Sequence, residues 1–154
     1  MKLYHGTDTV VMKPEIRIVG YTKDFGYGFY CTNLEKQAKR WAVTKRKPHI
    51  VCIYEYDHNE ELNVKRFPEM TDEWLDFVAA CRHGESHPYD IVEGPMADDE
   101  VWDYVEDFLS NRITREIFWA LAKFKHPTHQ IIFCNDKALT TLRYIEHYEI
   151  PDKQ

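Results

Sequence analysis

The chain reads as an α+β protein with a single domain over residues 1–154, and three observations predict this. His49-Ile50-Val51-Cys52-Ile53-Tyr54-Glu55-Tyr56 is β-branched and aromatic almost throughout, as a strand should be. Helical spacing and strand-like runs follow one another without the steady β-α-β alternation of a doubly wound sheet. Apolar residues make up 44% of the chain, with eight Phe, ten Tyr and four Trp, which supplies a core and argues against disorder.

The elements follow in order. Residues 2–6 are expected to form a strand with Leu3 on one face and Tyr4 on the other. Residues 7–22 carry no helical period and are punctuated by Pro14 and Gly20, so they predict a loop with a short extended piece. Lys23-Asp24-Phe25-Gly26-Tyr27-Gly28-Phe29-Tyr30-Cys31-Thr32 is a Gly- and Tyr-rich entry into a second strand. Asn33 is placed to cap a helix whose inward stripe is Leu34, Ala38, Trp41 and Ala42, and which ends before Pro48. The strand 49–56 comes next, then a weakly patterned segment, 57–70. A second helix starts at Thr71 with Trp74, Phe77, Val78 and Cys81 inward. Tyr89-Asp90-Ile91-Val92-Glu93 predicts a short strand closed by Gly94-Pro95.

Asp98, Asp99 and Glu100 suit a helix N-terminus, where carboxylates meet unpaired amides, and Val101, Val105, Phe108 and Leu109 give that helix its apolar side. Thr114 through Phe124 predicts a further helix with Ile117, Leu121 and Phe124 on one face. Gln130-Ile131-Ile132-Phe133-Cys134 is a strand, and Asp136 is expected to cap a last helix running through Ala138, Leu142 and Tyr144.

Composition narrows the function classes. A formal net charge of −6 argues against general nucleic-acid binding, which needs clustered cations. One local exception is Lys36, Lys39, Arg40, Lys45, Arg46 and Lys47: either a solvated helix face or a basic rim meeting the phosphates of a cofactor or target. No apolar run is long enough to span a bilayer and Met1-Lys2-Leu3-Tyr4-His5 is no signal peptide, so a cytoplasmic protein without membrane partners is expected. The scattered Cys31, Cys52, Cys81 and Cys134 predict reduced core residues.

Several motifs converge on one chemistry: Leu3-Tyr4-His5-Gly6-Thr7; the Lys23–Thr32 segment leading into a helix with Gln37-Ala38 and Trp41-Ala42; Tyr89-Asp90-Ile91-Val92 with Gly94-Pro95-Met96-Ala97-Asp98-Asp99; and His129-Gln130-Ile131-Ile132-Phe133. Together they resemble a family of short bacterial proteins grouped with the ADP-ribosyltransferases, the domain of unknown function 3990. The resemblance covers most of the chain. It implies an ADP-ribosyltransferase-like fold of two small sheets packed at an angle, with NAD as substrate in the cleft between them.

Breaking a nicotinamide–ribose bond requires a main chain close enough to pair the carboxamide, an aromatic face for the ring, and a polar group on the ribose. It also benefits from negative charge near the developing cation. By the resemblance, Gly6 supplies the amide pairing, His5 the ribose contact, and Tyr30 or Tyr27 the stacking face. Thr7, Gly28 and Phe29 complete the NAD-binding set.

One departure stands out. Many such transferases carry a catalytic Glu where this chain has Gln130, and an amide brings hydrogen bonding but no charge. Asp98 is a candidate substitute carboxylate. Each assignment has a structural alternative: His5 as a hydrogen-bonded strand histidine, Tyr27, Phe29 and Tyr30 as core aromatics, Gly26 and Gly28 as a bulge, Asp98 as a helix cap, Gln130 as an edge-strand polar residue. The expected function is mono-ADP-ribosyl transfer to an unidentified protein or nucleic-acid acceptor. The resemblance adds a toxin-like role with a neutralising protein partner. Gln130 favours one alternative, a catalytically weak or inactive NAD- or nucleotide-binding module of the same fold; an NAD glycohydrolase, which requires no acceptor, is another.

Other constellations carry less. Cys81, His83 and His87, and separately His126 with His129, lack four ligands at zinc spacing, so no metal site is expected. Cys31 with a distant histidine has the residue types of a nucleophile pair without a surrounding signature. Gly26-Tyr27-Gly28 lacks the third glycine of a dinucleotide fingerprint.

Overall fold

The computed structural model describes residues 1–16, 24–97, 99–122 and 128–152, and shows a mixed α+β protein built on two sheets with five helices among the described residues. The first sheet places β3 (His49–Tyr56) between β1 (Lys2–Thr7) and β7 (Leu142–Ile150), all antiparallel. The second runs β2 (Phe29–Cys31), β6 (Gln130–Phe133), β5 (Ile91–Gly94) and β4 (Val64–Arg66); only the β4–β5 pair is parallel. The sheets meet where Tyr4 and Thr32 exchange backbone hydrogen bonds of 2.8 and 2.9 Å.

Alternation along the strands sorts the side chains into layers. Leu3, Cys52 and Tyr54 of the first sheet pack with Phe29, Cys31, Ile131 and Phe133 of the second. On the other face of the first sheet, α1 (Glu35–Val43) lays Ala38 and Ala42 on Val51, with Tyr4 and Tyr148 beside them. Val92 and Ile132 of the second sheet instead pack with α2 (Asp72–Arg82), α3 (Asp99–Leu109) and α4 (Arg115–Leu121), through Trp74, Leu75, Val78, Val105 and Phe118. Leu3 faces the inter-sheet core and Tyr4 faces α1, as the strand's alternation predicts.

Glycine has a packing reason at two positions. A Cβ on Gly6 would clash with the Ala38 carbonyl oxygen and lie 2.7 Å from the Ala42 nitrogen. Only glycine lets α1 sit this close to β1. A Cβ on Gly28 would lie 2.6 Å from the Phe133 carbonyl and from Ile132 Cγ1, so β2 needs glycine where it leaves β6.

Several expectations are corrected. Asn33 is not a cap: the N-cap position of α1 is Leu34, whose amide donates to Thr32 Oγ1 at 3.1 Å. The buried stripe of α1 is Gln37, Ala38 and Ala42, leaving Trp41 half-buried. In α4, Ile117 and Leu121 are exposed and Phe118 is the buried residue; Phe124, with Gly20, Lys23 and His126, lies outside the described residues.

The predicted last helix is the short α5 (Asp136–Leu139), capped by Asn135, whose side chain accepts from Ala138 N. Leu142 and Tyr144 belong to the nine-residue strand β7. Its pattern is broken by an irregularity where the register passes from Tyr54↔Tyr144 to Ile53↔Glu146 and skips Ile145. Before the break Leu142 and Tyr144 face the inter-sheet core; after it Tyr148 and Ile150 face α1.

Candidate active-site cleft

A half-enclosed cavity of about 210 Å³ opens where β1 and α1 approach the end of β6. It is lined by His5 and Gly6 of β1, Trp41, Thr44 and Lys45 at the end of α1, Tyr30 of β2, Gln130 of β6, Asp24, Met96-Ala97, and Trp102 of α3. His5, Gly6, Tyr30 and Gln130, singled out from the sequence, therefore share one cavity. Thr7, Gly28 and Phe29 line an adjoining cavity of about 480 Å³, bounded also by residues 8–13, and His5 and Tyr30 line both. Tyr27 is exposed and lines neither cavity. Asp98 lies outside the described residues.

His5 sits 2.6 Å through Nδ1 from the Tyr30 carbonyl and packs its ring on Phe29, centroids 4.4 Å apart. A carbonyl only accepts, so Nδ1 carries the proton in this contact. Tyr30 is 8% exposed; its hydroxyl donates to the Gly26 carbonyl at 2.6 Å and accepts from the Phe25 amide at 3.1 Å. Burial pushes its pKa well above the ordinary tyrosine value, so it stays neutral and offers a ring surface, not an acid or base.

Asp24, absent from the candidates named from sequence, is the carboxylate that lines the cleft among the described residues. Only 2% exposed, it accepts from Arg82 Nη2 at 2.6 Å, Arg82 Nε at 3.1 Å, the Ala97 amide at 2.8 Å and Gln130 Nε2 at 3.3 Å. Arg82 in turn stacks on Trp102, 3.5 Å from the ring centroid, and donates to Glu106 at 2.7 Å. Buried charge demands such pairing. The signal available in the sequence was an acidic residue inside an otherwise aromatic and glycine-rich segment.

Gln130 also donates to the Pro95 carbonyl at 3.3 Å, which Trp74 Nε1 holds at 3.0 Å. Thr128 brackets Met96, accepting from its amide at 2.9 Å and donating to its carbonyl at 3.1 Å. The loop forming the cleft floor is thus fixed from several elements. Gln37, 1% exposed, ties the helix of one sheet to the strand of the other: Nε2 donates to the His129 carbonyl and Oε1 accepts from the His129 amide at 3.0 Å.

His129 does not reach the cleft. Its Nδ1 accepts from the Asn33 amide at 3.0 Å and its Nε2 meets Glu93 Oε2 at 2.7 Å, so both ring nitrogens serve the fold. That His129 hydrogen bond holds the Glu93 carboxyl below the usual range, against the opposing effect of burial.

Burial raises the Cys31 thiol and pushes Cys81 and Cys134 up to about 12, so none is a ready thiolate nucleophile at neutral pH. All four cysteines are free. Among the described residues no group of three His, Cys, Asp or Glu is placed to hold a metal ion, and no helix is long and apolar enough to cross a membrane.

A family model described as a protein of unknown function (DUF3990) matches residues 1–144, and the chain belongs to that family. No curated protein and no solved structure matches the chain.

Proposed function

We propose that this DUF3990 family member is an NAD-dependent mono-ADP-ribosyltransferase that releases nicotinamide and moves ADP-ribose to a cellular acceptor. The observation that carries the reading is the convergence of His5, Gly6, Tyr30 and Gln130 on one cavity with two tryptophans and a buried carboxylate. The nicotinamide of NAD is a flat cation, and an indole face suits it in shape and charge. Trp41 offers such a face, His5 lies where it can contact the ribose, and Asp24 is the carboxylate among the described lining residues. The adjoining cavity leaves room for the ADP portion.

In the reaction the bond from the anomeric carbon to nicotinamide breaks and nicotinamide leaves with the bonding pair. The acceptor's nucleophilic atom bonds that carbon and its proton passes to solvent. Among the described residues of this cleft, none places an unmatched negative charge beside the developing cation. Gln130 is neutral and the Asp24 charge is matched by Arg82, so catalysis is expected to be slow. The same observation favours a second reading, in which the cleft binds NAD without cleaving it.

Calorimetric titration with NAD, together with nicotinamide release measured with and without cell lysate, tests both readings. NAD should bind, and His5→Ala and Trp41→Ala should each weaken it tenfold or more. Unchanged affinity in both variants would sink the NAD assignment. Release that depends on lysate supports transfer, release in buffer alone supports hydrolysis, and binding without release in either supports the second reading.

A further inference from the structure

Resting on the NAD reading, we propose that the acceptor is a single-stranded nucleic acid docked along the outer face of α1, with Lys36, Lys39 and Arg40 holding its phosphates. Residues 36–47 contain six of the chain's 20 Lys and Arg and no Asp or Glu, in a protein whose net charge is −6. Lys36, Lys39 and Arg40 are exposed, whereas Gln37, Ala38 and Ala42 of the same helix are buried, so the cations share the solvent face. Among the described residues no carboxylate pairs with Lys36, Arg40 or Lys45, and Lys39 lies over the Tyr148 ring at 5.7 Å. Arg46 and Lys47 meet Asp8 at 3.6 Å and Asp152 at 3.0 Å in exposed pairs, which cost little to exchange for phosphate.

Location makes this more than a solvated helix face. The basic run enters the cleft, since Thr44 and Lys45 line the cavity together with Trp41. A chain held on α1 is therefore delivered to the place where nicotinamide would leave. Lys36 and Arg40, four residues apart, are about 6 Å apart along the helix axis, the scale of one nucleotide step in an extended strand. A single strand is favoured over a duplex because its bases are already unpaired and can reach the mouth of the cleft without the cost of extrusion from a stack. In the transfer a base nitrogen or sugar hydroxyl oxygen bonds the anomeric carbon as neutral nicotinamide departs, and the acceptor's proton goes to water.

The test is fluorescence anisotropy with mixed-sequence single-stranded oligonucleotides of about twelve nucleotides, DNA and RNA, across a salt series, with NAD titrated in parallel. The protein should bind with an affinity that falls as salt rises. Lys36→Ala/Arg40→Ala should weaken binding tenfold or more and make the log–log salt slope shallower by about 1.4, the share of two single-strand phosphate contacts. NAD affinity in that variant should be unchanged, and Lys36→Arg/Arg40→Lys should retain oligonucleotide binding. NAD binding without oligonucleotide binding overturns this inference alone. Equal displacement by polyglutamate overturns it in favour of an acidic protein partner, and an equal loss of NAD affinity in the alanine variant assigns the rim to the dinucleotide. Oligonucleotide binding without NAD binding overturns the transferase reading, and with it the strand's role as acceptor.

Discussion

The two walls of the cleft are built by opposite means. On the β1–α1 side the wall rests on close contact: Gly6 lacks a side chain so that the Ala38–Ala42 turn of α1 can lie against the strand. On the opposite side the wall is charge: Asp24 and Arg82, each with a side chain 3% exposed, join Gln130, the Ala97 amide and Glu106 in one network. The contact between Gly6 and α1 tolerates no added volume and involves no titratable group. A wall of buried charges has its volume filled but fails if any partner goes missing.

The largest expected effect comes from opening the charged wall. Arg82→Met leaves the Asp24 carboxylate buried and unpaired, which typically costs about 3–5 kcal/mol and is measurable by urea denaturation. Asp24→Asn combined with Arg82→Met should recover much of that loss. If the single and double variants are equally unstable, the pair is not what organises this wall.

Next comes the contact wall. Gly6→Ala should cost about 2–3 kcal/mol, the upper part of the range for overpacking, because the atoms in the way are backbone. Its penalty should be the same at pH 5 and pH 8. A neutral Gly6→Ala would show that α1 slides freely and that this glycine serves something else.

Gln130→Glu should cost about 1–2 kcal/mol at neutral pH, since it removes a donor shared by Asp24 and the Pro95 carbonyl and sets one carboxylate against another. Repulsion raises the folded-state pKa of the new carboxyl above its unfolded value. The folded state then binds the extra proton, so the deficit is least in acid and grows as pH rises. A denaturation series against pH checks that sign. The substitution that restores a glutamate thus acts on a site already organised around Asp24, and a gain in nicotinamide release would have to overcome this penalty.

The smallest effect lies outside the cleft, at Glu93. Its lowered carboxyl pKa contributes stability that is present above the unfolded value of about 4.3 and lost as pH falls through the lower folded value. Glu93→Gln should cost about 1 kcal/mol or less at pH 7, because Glu93 is partly solvated and Arg66 beside it is 55% exposed, and should flatten the acid limb of the stability profile.

Where local chemistry decides conformation, the elements were legible. The β-branched run 49–56 is β3 to the residue, Thr71 caps α2 by accepting from Trp74 N, and the Leu3/Tyr4 alternation sorts correctly. Where a partner decides, they were not. Leu142 and Tyr144 suit a helical stripe, but pairing with β3 makes them strand, and the skipped Ile145 hides the period of two from any local count. Ile117 and Leu121 have core spacing, yet what α4 packs against turned Phe118 inward.

The candidate site divides the same way. His5, Gly6, Tyr30 and Gln130 carry recognisable chemistry in their own short motifs, so the sequence by itself nominated them. It also placed six cations and no acid in residues 36–47. Asp24 reads as one more polar residue until Arg82, 58 positions later, folds against it. Trp41 reads as core until the cavity beside it shows otherwise. Side-chain type and spacing are local properties and survive in the linear chain; burial, charge pairing and the shape of a cleft are relations between distant segments, and exist only once the two sheets have met.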